Sequence, residues 1–315
     1  MGVSFAALAQ SWRTSCTGDY SAASLTRLDT QFDLYLLPRF GSMPAEAVTR
    51  KELEKWVAEI AVSGEDESGL SPSTVNSMLS VIKNILASGG FDVKVPLVKN
   101  EEKPPRVLTA AEQKAFVTFL LADLTPTHLG ILLSLYTGLR HGEICALRWD
   151  DIDFDARLIR VTRTMHRVNA DYQGEMGLEA KNRSEGKTAL VMQPLGSECL
   201  VRDIPLFGSL LSLLRDHAPS RPNGIFILTG TDVFLDPRTL DKRFLRAASF
   251  CGIKNVSFQA LRDTFAVRCV ENGVGVLALT EILGNDVPSL TVSRYGIKPS
   301  LPKKRREIEK ISALL

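Results

Sequence analysis

The stretch Thr137-Gly138-Leu139-Arg140-His141-Gly142-Glu143-Ile144 sets a fixed cation at the start of a helix. The apolar run from Leu129 to Tyr136 predicts a buried helix, Gly138 lets the chain turn, and Glu143, Ile144 and Leu147 restart helical spacing. Arg140 is thereby expected on the turn between two packed helices. A guanidinium there offers a planar fork that matches phosphate oxygens, and the free N–H groups of the next helix favour an anion at the same place. Taken alone, such an arginine more commonly pairs with a neighbour such as Glu143 or caps a carbonyl.

Further boxes follow in order. Ser257-Phe258-Gln259-Ala260-Leu261-Arg262-Asp263 is followed by Ile282-Leu283-Gly284-Asn285 and then by Ser293-Arg294-Tyr295-Gly296. Together with Gly-Leu-Arg-His-Gly-Glu this ordered set resembles the tyrosine recombinase (phage integrase) family. The family pattern has an arginine in a GLR-x-GE box, a hairpin lysine, an HxLRH box, an LGH box and a nucleophilic tyrosine soon after. Gln259 stands three residues before Arg262 and Tyr295 ten after Asn285, as that pattern requires. The resemblance covers nearly the whole chain.

The resemblance implies phosphoryl transfer on duplex DNA with neither cofactor, metal nor ATP. Arg140 and Arg262 would hold the two non-bridging oxygens of the scissile phosphate and stabilise its transition state. Tyr295, a phenol with an ordinary pKa of about 10, would attack to give a 3′-phosphotyrosine and expel a 5′-hydroxyl. Three family histidines are replaced, by Gln259, Asp263 and Asn285. The amides of Gln259 and Asn285 can donate to phosphate but cannot shuttle a proton. Asp263 repels phosphate unless it is paired, and is expected to orient Arg262. For the general acid, Lys187-Thr188 offers the family's Lys-Thr pair fifteen residues ahead of Arg202, whereas six residues ahead stands Gly196. Lys187 is therefore the candidate, with Lys181 behind it.

The elements that must position these residues fall into two domains. Residues 1–95 read as a helical core-binding domain. Phe5, Leu8, Ala9 and Trp12 share one face, and Leu25, Leu28, Phe32, Tyr35 and Leu36 share another. Leu53, Trp56, Val57 and Ile60 follow a Thr49-x-x-Glu52 capping box, and Ser71-Pro72 opens a fourth helix through Val75, Leu79, Ile82 and Leu86. By resemblance this domain, SAM-like in fold, grips DNA opposite the catalytic domain. Residues 96–107 are a polar, proline-rich linker, long enough at ~3.1 Å per residue to span roughly 30 Å. The segment before residue 5 leaves no room for an additional arm-type module. Residues 108–315 are the expected catalytic domain, mainly α with a small antiparallel β-sheet. A capping box at Thr109–Glu112 opens it, and strands are predicted over 158–164, at Val191, over 199–204 and over 225–228. Residues 169–188 read as a long polar loop, and a last helix opens at Pro302.

Composition bounds the rest. The 315 residues carry a net charge of +2, which by itself gives no argument for nucleic acid. Local clusters are more suggestive: Arg157, Arg160, Arg163 and Arg167 in an acid-free stretch, and Lys303-Lys304-Arg305-Arg306. No apolar segment approaches the ~18 residues of a membrane span and no signal peptide is present, so a cytoplasmic location is expected. The five cysteines lack a C-x-x-C and the four histidines lack ligand spacing, which points to reduced thiols and no zinc site. The expected partner is double-stranded DNA, with self-assembly into a dimer or tetramer, no membrane, and room for an accessory bending or excision factor. Two other activities fit the same residues: a non-catalytic or impaired relative that binds recombination sites, and a type IB topoisomerase-like relaxer.

Overall fold

Serine hydroxyls open three helices of the N-terminal part. Ser4 accepts from Ala7 at α1 (Phe5–Ser15), Ser21 from Ser24 at α2 (Ala22–Gln31), and Ser71 from Thr74 ahead of α5 (Pro72–Ser88). Each satisfies a backbone donor that the first helical turn leaves unpaired. The computed structural model describes residues 2–16, 20–62, 69–99, 104–175, 180–182, 188–196, 200–220 and 223–295. The chain divides into two units, one comprising 1–103 with 168–177 and 185–189, the other 104–167, 178–184 and 190–315.

In the first unit α2 continues through a π-helical turn, Phe32–Leu36, into α3 (Leu37–Phe40). The wider turn keeps Phe32, Leu36 and Phe40 all buried, with Phe40 against Phe5 and Trp56 and Phe32 against Trp12. In α4 (Arg50–Val62) the expected capping box does not close: Glu52 meets Lys55 at 2.7 Å and Arg39 at 3.3 Å, and the Thr49 amide donates to the Ala47 carbonyl. Two cations outcompete one amide for the carboxylate. The linker begins under restraint, because Val98 exchanges hydrogen bonds of 2.9 and 2.8 Å with the Asn76 side chain.

The first unit also takes a segment from far along the chain. Residues 169–188, expected as loop, contain α9 (Ala170–Glu175) and a strand, Ala180–Asn182. Tyr172 on α9 is buried and donates to Asp29 at 2.6 Å, while Arg13 donates to Tyr172 at 2.7 Å and pairs with Asp29 at 2.7 Å. A tyrosine with a buried ring and a partnered hydroxyl holds Ala170–Glu175 in place.

The second unit is built on α7 (Pro126–Thr137), apolar on nearly every face and buried from Leu129 to Leu135. Around it lie α6 (Ala110–Ala122), α8 (His141–Ala146), α11 (Pro237–Phe250) and α12 (Gln259–Glu271). The Thr109–Glu112 capping box closes as expected. Phe244 meets Phe116 and Phe258 edge-on at 5.9 and 5.4 Å, joining α6, α11 and the start of α12. The sheets are small: β1 (Ile152–Asp153), β2 (Leu158–Val161) and β6 (Arg202–Pro205) pair antiparallel, with Ile159 opposite Ile204. A second sheet runs in the order β3 (Arg163–Asn169), β5 (Thr188–Pro194), β4 (Ala180–Asn182). Residues 225–228 make only an isolated bridge, Phe226 to Arg148, rather than a strand. Next come α10 (Gly208–His217), α13 (Val276–Leu283) and α14 (Pro288–Tyr295). The chain is mainly α with small antiparallel sheets, and among the described residues no helix is long and apolar enough to cross a membrane.

Candidate active site

Gly138 turns the chain where α7 ends, with φ +69, and its α-hydrogen faces Phe265: an added Cβ would stand 2.7 Å from that ring. Only glycine takes this left-handed position against such a neighbour without strain. Arg140 follows as the first residue outside α8. Its backbone N–H donates to Glu143 at 2.8 Å and its Nη1 to the same carboxylate at 3.0 Å. Its Nη2 reaches across to the Gly284 carbonyl at 2.5 Å and to Asn285 Oδ1 at 3.3 Å. The pairing of Arg140 with Glu143 that the sequence left open therefore exists, and does not use up the guanidinium.

Glu143 is held chiefly by another residue. Arg202 on β6 grips it with both nitrogens, at 2.9 and 2.8 Å, and donates Nε to the Ile282 carbonyl at 2.7 Å. Both side chains are buried. Burial alone would raise the Glu143 pKa; the hydrogen bonds and charge of Arg202, with Arg140, override it and hold the carboxyl at about 2. Gly284, at φ +57, gives Arg202 its room, since a Cβ there would lie 3.0 Å from Arg202 Cδ.

Arg262 on α12 is 4 % exposed and points back to the same turn. It donates to the Gly138 carbonyl at 2.7 Å, the Leu283 carbonyl at 2.6 Å and Asn285 Oδ1 at 3.1 Å. Burial, and then the neighbouring charge of Arg140, pull its pKa down to about 10, so it stays protonated at neutral pH. Three guanidinium groups, Arg140, Arg202 and Arg262, thus surround one carboxylate, Glu143. The surplus positive charge suits an anion.

Asn285 ties the two candidate arginines together. Its Oδ1 accepts from both, and its Nδ2 donates to Thr291 at 3.0 Å. Thr280 Oγ1, which donates to the Val276 carbonyl at 2.7 Å, lies 3.0 Å from Thr291 Oγ1. The Thr280 hydroxyl proton is shared between that carbonyl and Thr291, and the buried Thr291 hydroxyl accepts from both Thr280 and Asn285. The chain fixes the amide with its oxygen toward the guanidiniums. Asn285 thereby acts here as an acceptor orienting arginines, not as the donor expected from its place in the LGH box.

Asp263 corrects a second expectation. It does not orient Arg262: it accepts from Arg294 Nε and Nη2 at 3.1 and 3.0 Å, from Gln259 Nε2 at 3.1 Å and from the Tyr295 hydroxyl at 3.2 Å. Arg294 supplies the pairing that a carboxylate beside a phosphate site needs. Gln259 and Asp263 stand one helical turn apart on α12, so Gln259 gives its amide hydrogen to Asp263. Burial first, and then the Asp263 charge, raise the Tyr295 pKa above its ordinary value.

The structure therefore brings Arg140, Arg262 and Asn285 together, and separately gathers Gln259 and Tyr295 on Asp263. The two groups meet on α12, where Asp263, 3.2 Å from the Tyr295 hydroxyl, directly follows Arg262. Lys187 lies outside the described residues, as do the Lys303–Arg306 cluster and the helix expected from Pro302; Lys181 is on β4. Sequence reasoning offered Glu143 only as a partner of Arg140 and missed its anchoring by Arg202, as it missed the roles of Arg294 and Thr291. The only signal for Arg202 was its place as the arginine from which the Lys-Thr pair is counted. The acid-free arginine stretch is also not bare: Arg163 pairs with Asp151, Arg167 with Asp236, and Arg160 with Asp203 at 3.4 Å. Cys16, Cys145, Cys251 and Cys269 are free thiols, and among the described residues no three His, Cys, Asp or Glu side chains gather as metal ligands.

The sequence pattern described as the phage integrase family matches residues 106–298, which hold Arg140, Glu143, Arg202, Arg262, Asp263, Asn285 and Tyr295. The chain belongs to that family. Among curated relatives of this phage integrase family member, a tyrosine recombinase XerC-like protein of Caldanaerobacter subterraneus subsp. tengcongensis is 27 % identical over 179 residues. That alignment covers 52 % of this chain and 44 % of the relative, less than half its length. The tyrosine recombinase XerA of Pyrococcus horikoshii is 25 % identical over 83 % of this chain and 80 % of its own. In fold, the integrase of the Tn1549 transposon, solved with transposon right end DNA, superposes with a TM-score of 0.76 at 19 % identity, covering 98 % of this chain and 100 % of that one. A lambda integrase dimer bound to a core site superposes at 0.63, with 16 % identity, over 93 % of this chain and 77 % of that one.

Proposed function

We propose that this integrase family member carries out site-specific DNA recombination, cutting and rejoining duplex DNA through a covalent 3′-phosphotyrosine. The observation that carries this reading is the buried surplus of positive charge around Gly138, Gly284 and Asn285, with the Tyr295 hydroxyl 3.2 Å from Asp263, the residue next to Arg262. In the resting site the arginines satisfy themselves on main-chain carbonyls. An entering phosphodiester offers them charged oxygens instead, a stronger partner in a largely desolvated place. Tyr295 Oη then bonds to phosphorus as the bond to the 5′ oxygen breaks. Bond energy is kept in the phosphotyrosine, so a 5′-hydroxyl from a partner strand can reverse the step without ATP. Lys187 is the candidate acid for the leaving oxygen. Strand exchange requires two duplexes, hence a dimer or tetramer on DNA, with an accessory bending or excision factor where the sites demand one.

The test is a nicked duplex carrying the ends of the genetic element that encodes the protein, incubated with wild type and with Tyr295→Phe. Loss of the short strand beyond the nick traps the link. A protein–DNA adduct on a denaturing gel in wild type and none in the variant supports the reading. Clear binding with no adduct in wild type would overturn it in favour of a binding-only relative, and relaxation of any supercoiled plasmid would favour a topoisomerase-like enzyme. Lys187→Ala with undiminished cleavage would remove that lysine from the mechanism.

A further inference from the structure

Asp263 stands where the family pattern has a histidine, and it is a 3 % exposed carboxylate that receives the Tyr295 hydroxyl. We propose that Asp263 is the general base that takes the phenolic proton of Tyr295 as that oxygen attacks phosphorus; the inference rests on the nucleophile reading above. Four donors reach the carboxylate: Tyr295 Oη at 3.2 Å, Gln259 Nε2 at 3.1 Å, and Arg294 through Nε at 3.1 Å and Nη2 at 3.0 Å. An amide and a guanidinium do not give up a proton near neutral pH, whereas a phenol can. The transferable proton in the cluster is that of Tyr295.

The environment requires the transfer to accompany bond formation. Burial and Asp263 both disfavour free tyrosinate, so little nucleophile exists in ionised form at neutral pH. As Oη bonds to phosphorus, its proton turns from the weak acidity of a phenol, about 10, to that of a strong acid. Carboxylic acids as a class, near about 4, lie between those limits, which is the condition for a base to help in the transition state. The atoms balance as follows. The Oη–phosphorus bond forms, the phosphorus–O5′ bond breaks, the phenolic proton moves to Asp263 Oδ1, and the 5′ oxygen takes a proton from a separate acid, an ammonium group or water. Oδ2 remains on Arg294 Nη2 at 3.0 Å throughout, so the carboxyl group does not swing away when it is protonated. The charged and titratable groups beside it are Arg294 and the neutral phenol of Tyr295 on α14 and the adjoining Arg262 on α12. Gln259, a family histidine position, acts here by aiming this base.

The experiment is single-turnover adduct formation by the full chain on the nicked duplex described above, with an ordinary phosphodiester and with a bridging 5′ sulfur whose thiolate leaves without an acid. Asp263→Asn is expected to slow adduct formation about a hundredfold on both substrates while DNA binding is kept. Its rate should then climb about tenfold per pH unit from pH 7 to 9, because hydroxide must do the work, more steeply than in wild type. Formate should restore part of the rate to Asp263→Ala. Arg294→Gln breaks the same ion pair and leaves the carboxylate, so it should keep the wild-type pH profile and separates folding defects from lost base. A full rate in Asp263→Asn, a defect repaired by the bridging sulfur, or an unchanged pH profile without formate rescue would overturn the proposal alone. Adduct from Tyr295→Phe, or none from wild type, would overturn the nucleophile reading and this inference with it.

Discussion

Replacing Glu143 with glutamine tests the electrostatic frame of the site. In the folded protein the carboxylate receives both Arg202 nitrogens at 2.9 and 2.8 Å and the Arg140 side chain at 3.0 Å, with 1 % of its side chain exposed. Glutamine keeps the shape, removes the charge, and turns an NH2 toward guanidinium donors. Arg202, 8 % exposed, is then a buried cation without a counter-ion, a loss of roughly 3–5 kcal/mol. The proton linkage gives an independent figure. The carboxyl lies at about 2 when folded against an ordinary 4.5, so its ionised form contributes about 3 kcal/mol at neutral pH. The folded pKa is the depressed one, so this stability is fully present above 4.5 and is lost as pH falls toward 2. Urea unfolding of wild type and Glu143→Gln between pH 7 and 3 should give a gap of about 3–5 kcal/mol at neutral pH that narrows as acid protonates the wild-type carboxyl. Thermal midpoints should differ by about 6–15 °C. A gap below about 1 kcal/mol, or one constant over this pH range, would refute the argument that Glu143 is the ionised anchor of the arginine cluster.

Gly138→Ala should lose about 2–4 kcal/mol, combining a left-handed non-glycine residue with overpacking against Phe265, and should move Arg140; thermal unfolding and adduct rate both read it. Thr291→Val removes the acceptor of Asn285 Nδ2, at an expected cost of about 1–3 kcal/mol, and frees the amide to turn over, so adduct formation should slow while the fold persists. Tyr172→Phe deletes the hydroxyl shared by Asp29 and Arg13 and should cost about 1–2 kcal/mol, with proteolysis near residue 175 accelerated. A Tyr172→Phe protein as stable as wild type would mean that the Arg13–Asp29 pair alone holds this segment.

Helices whose signals lie within one turn were legible. Ser71-Pro72 and Thr109–Glu112 open α5 and α6 because a cap and its target are three residues apart, and the unbroken apolar run of α7 predicts its burial. Thr49–Glu52 failed because two cations take the carboxylate, the local Lys55 at 2.7 Å and Arg39, distant in sequence, at 3.3 Å. The polar segment after Asn169 was read as loop since its order depends on Asp29 and Arg13, which no local pattern connects to Tyr172.

For the site, the sequence by itself determined the reactive residue types, their order, and the glycines that turn the chain beside them, because these are properties of neighbours along the chain. Only the tertiary structure decided which charge answers which. Glu143 and Arg202 stand 59 residues apart, Asp263 and Arg294 31 apart, and Arg140 and Asn285 145 apart. Ion pairing depends on distance in space and on burial, which helical periodicity does not encode. That is why Asp263 was assigned to the arginine beside it in sequence, while in the folded protein it faces Arg294 and the hydroxyl of Tyr295.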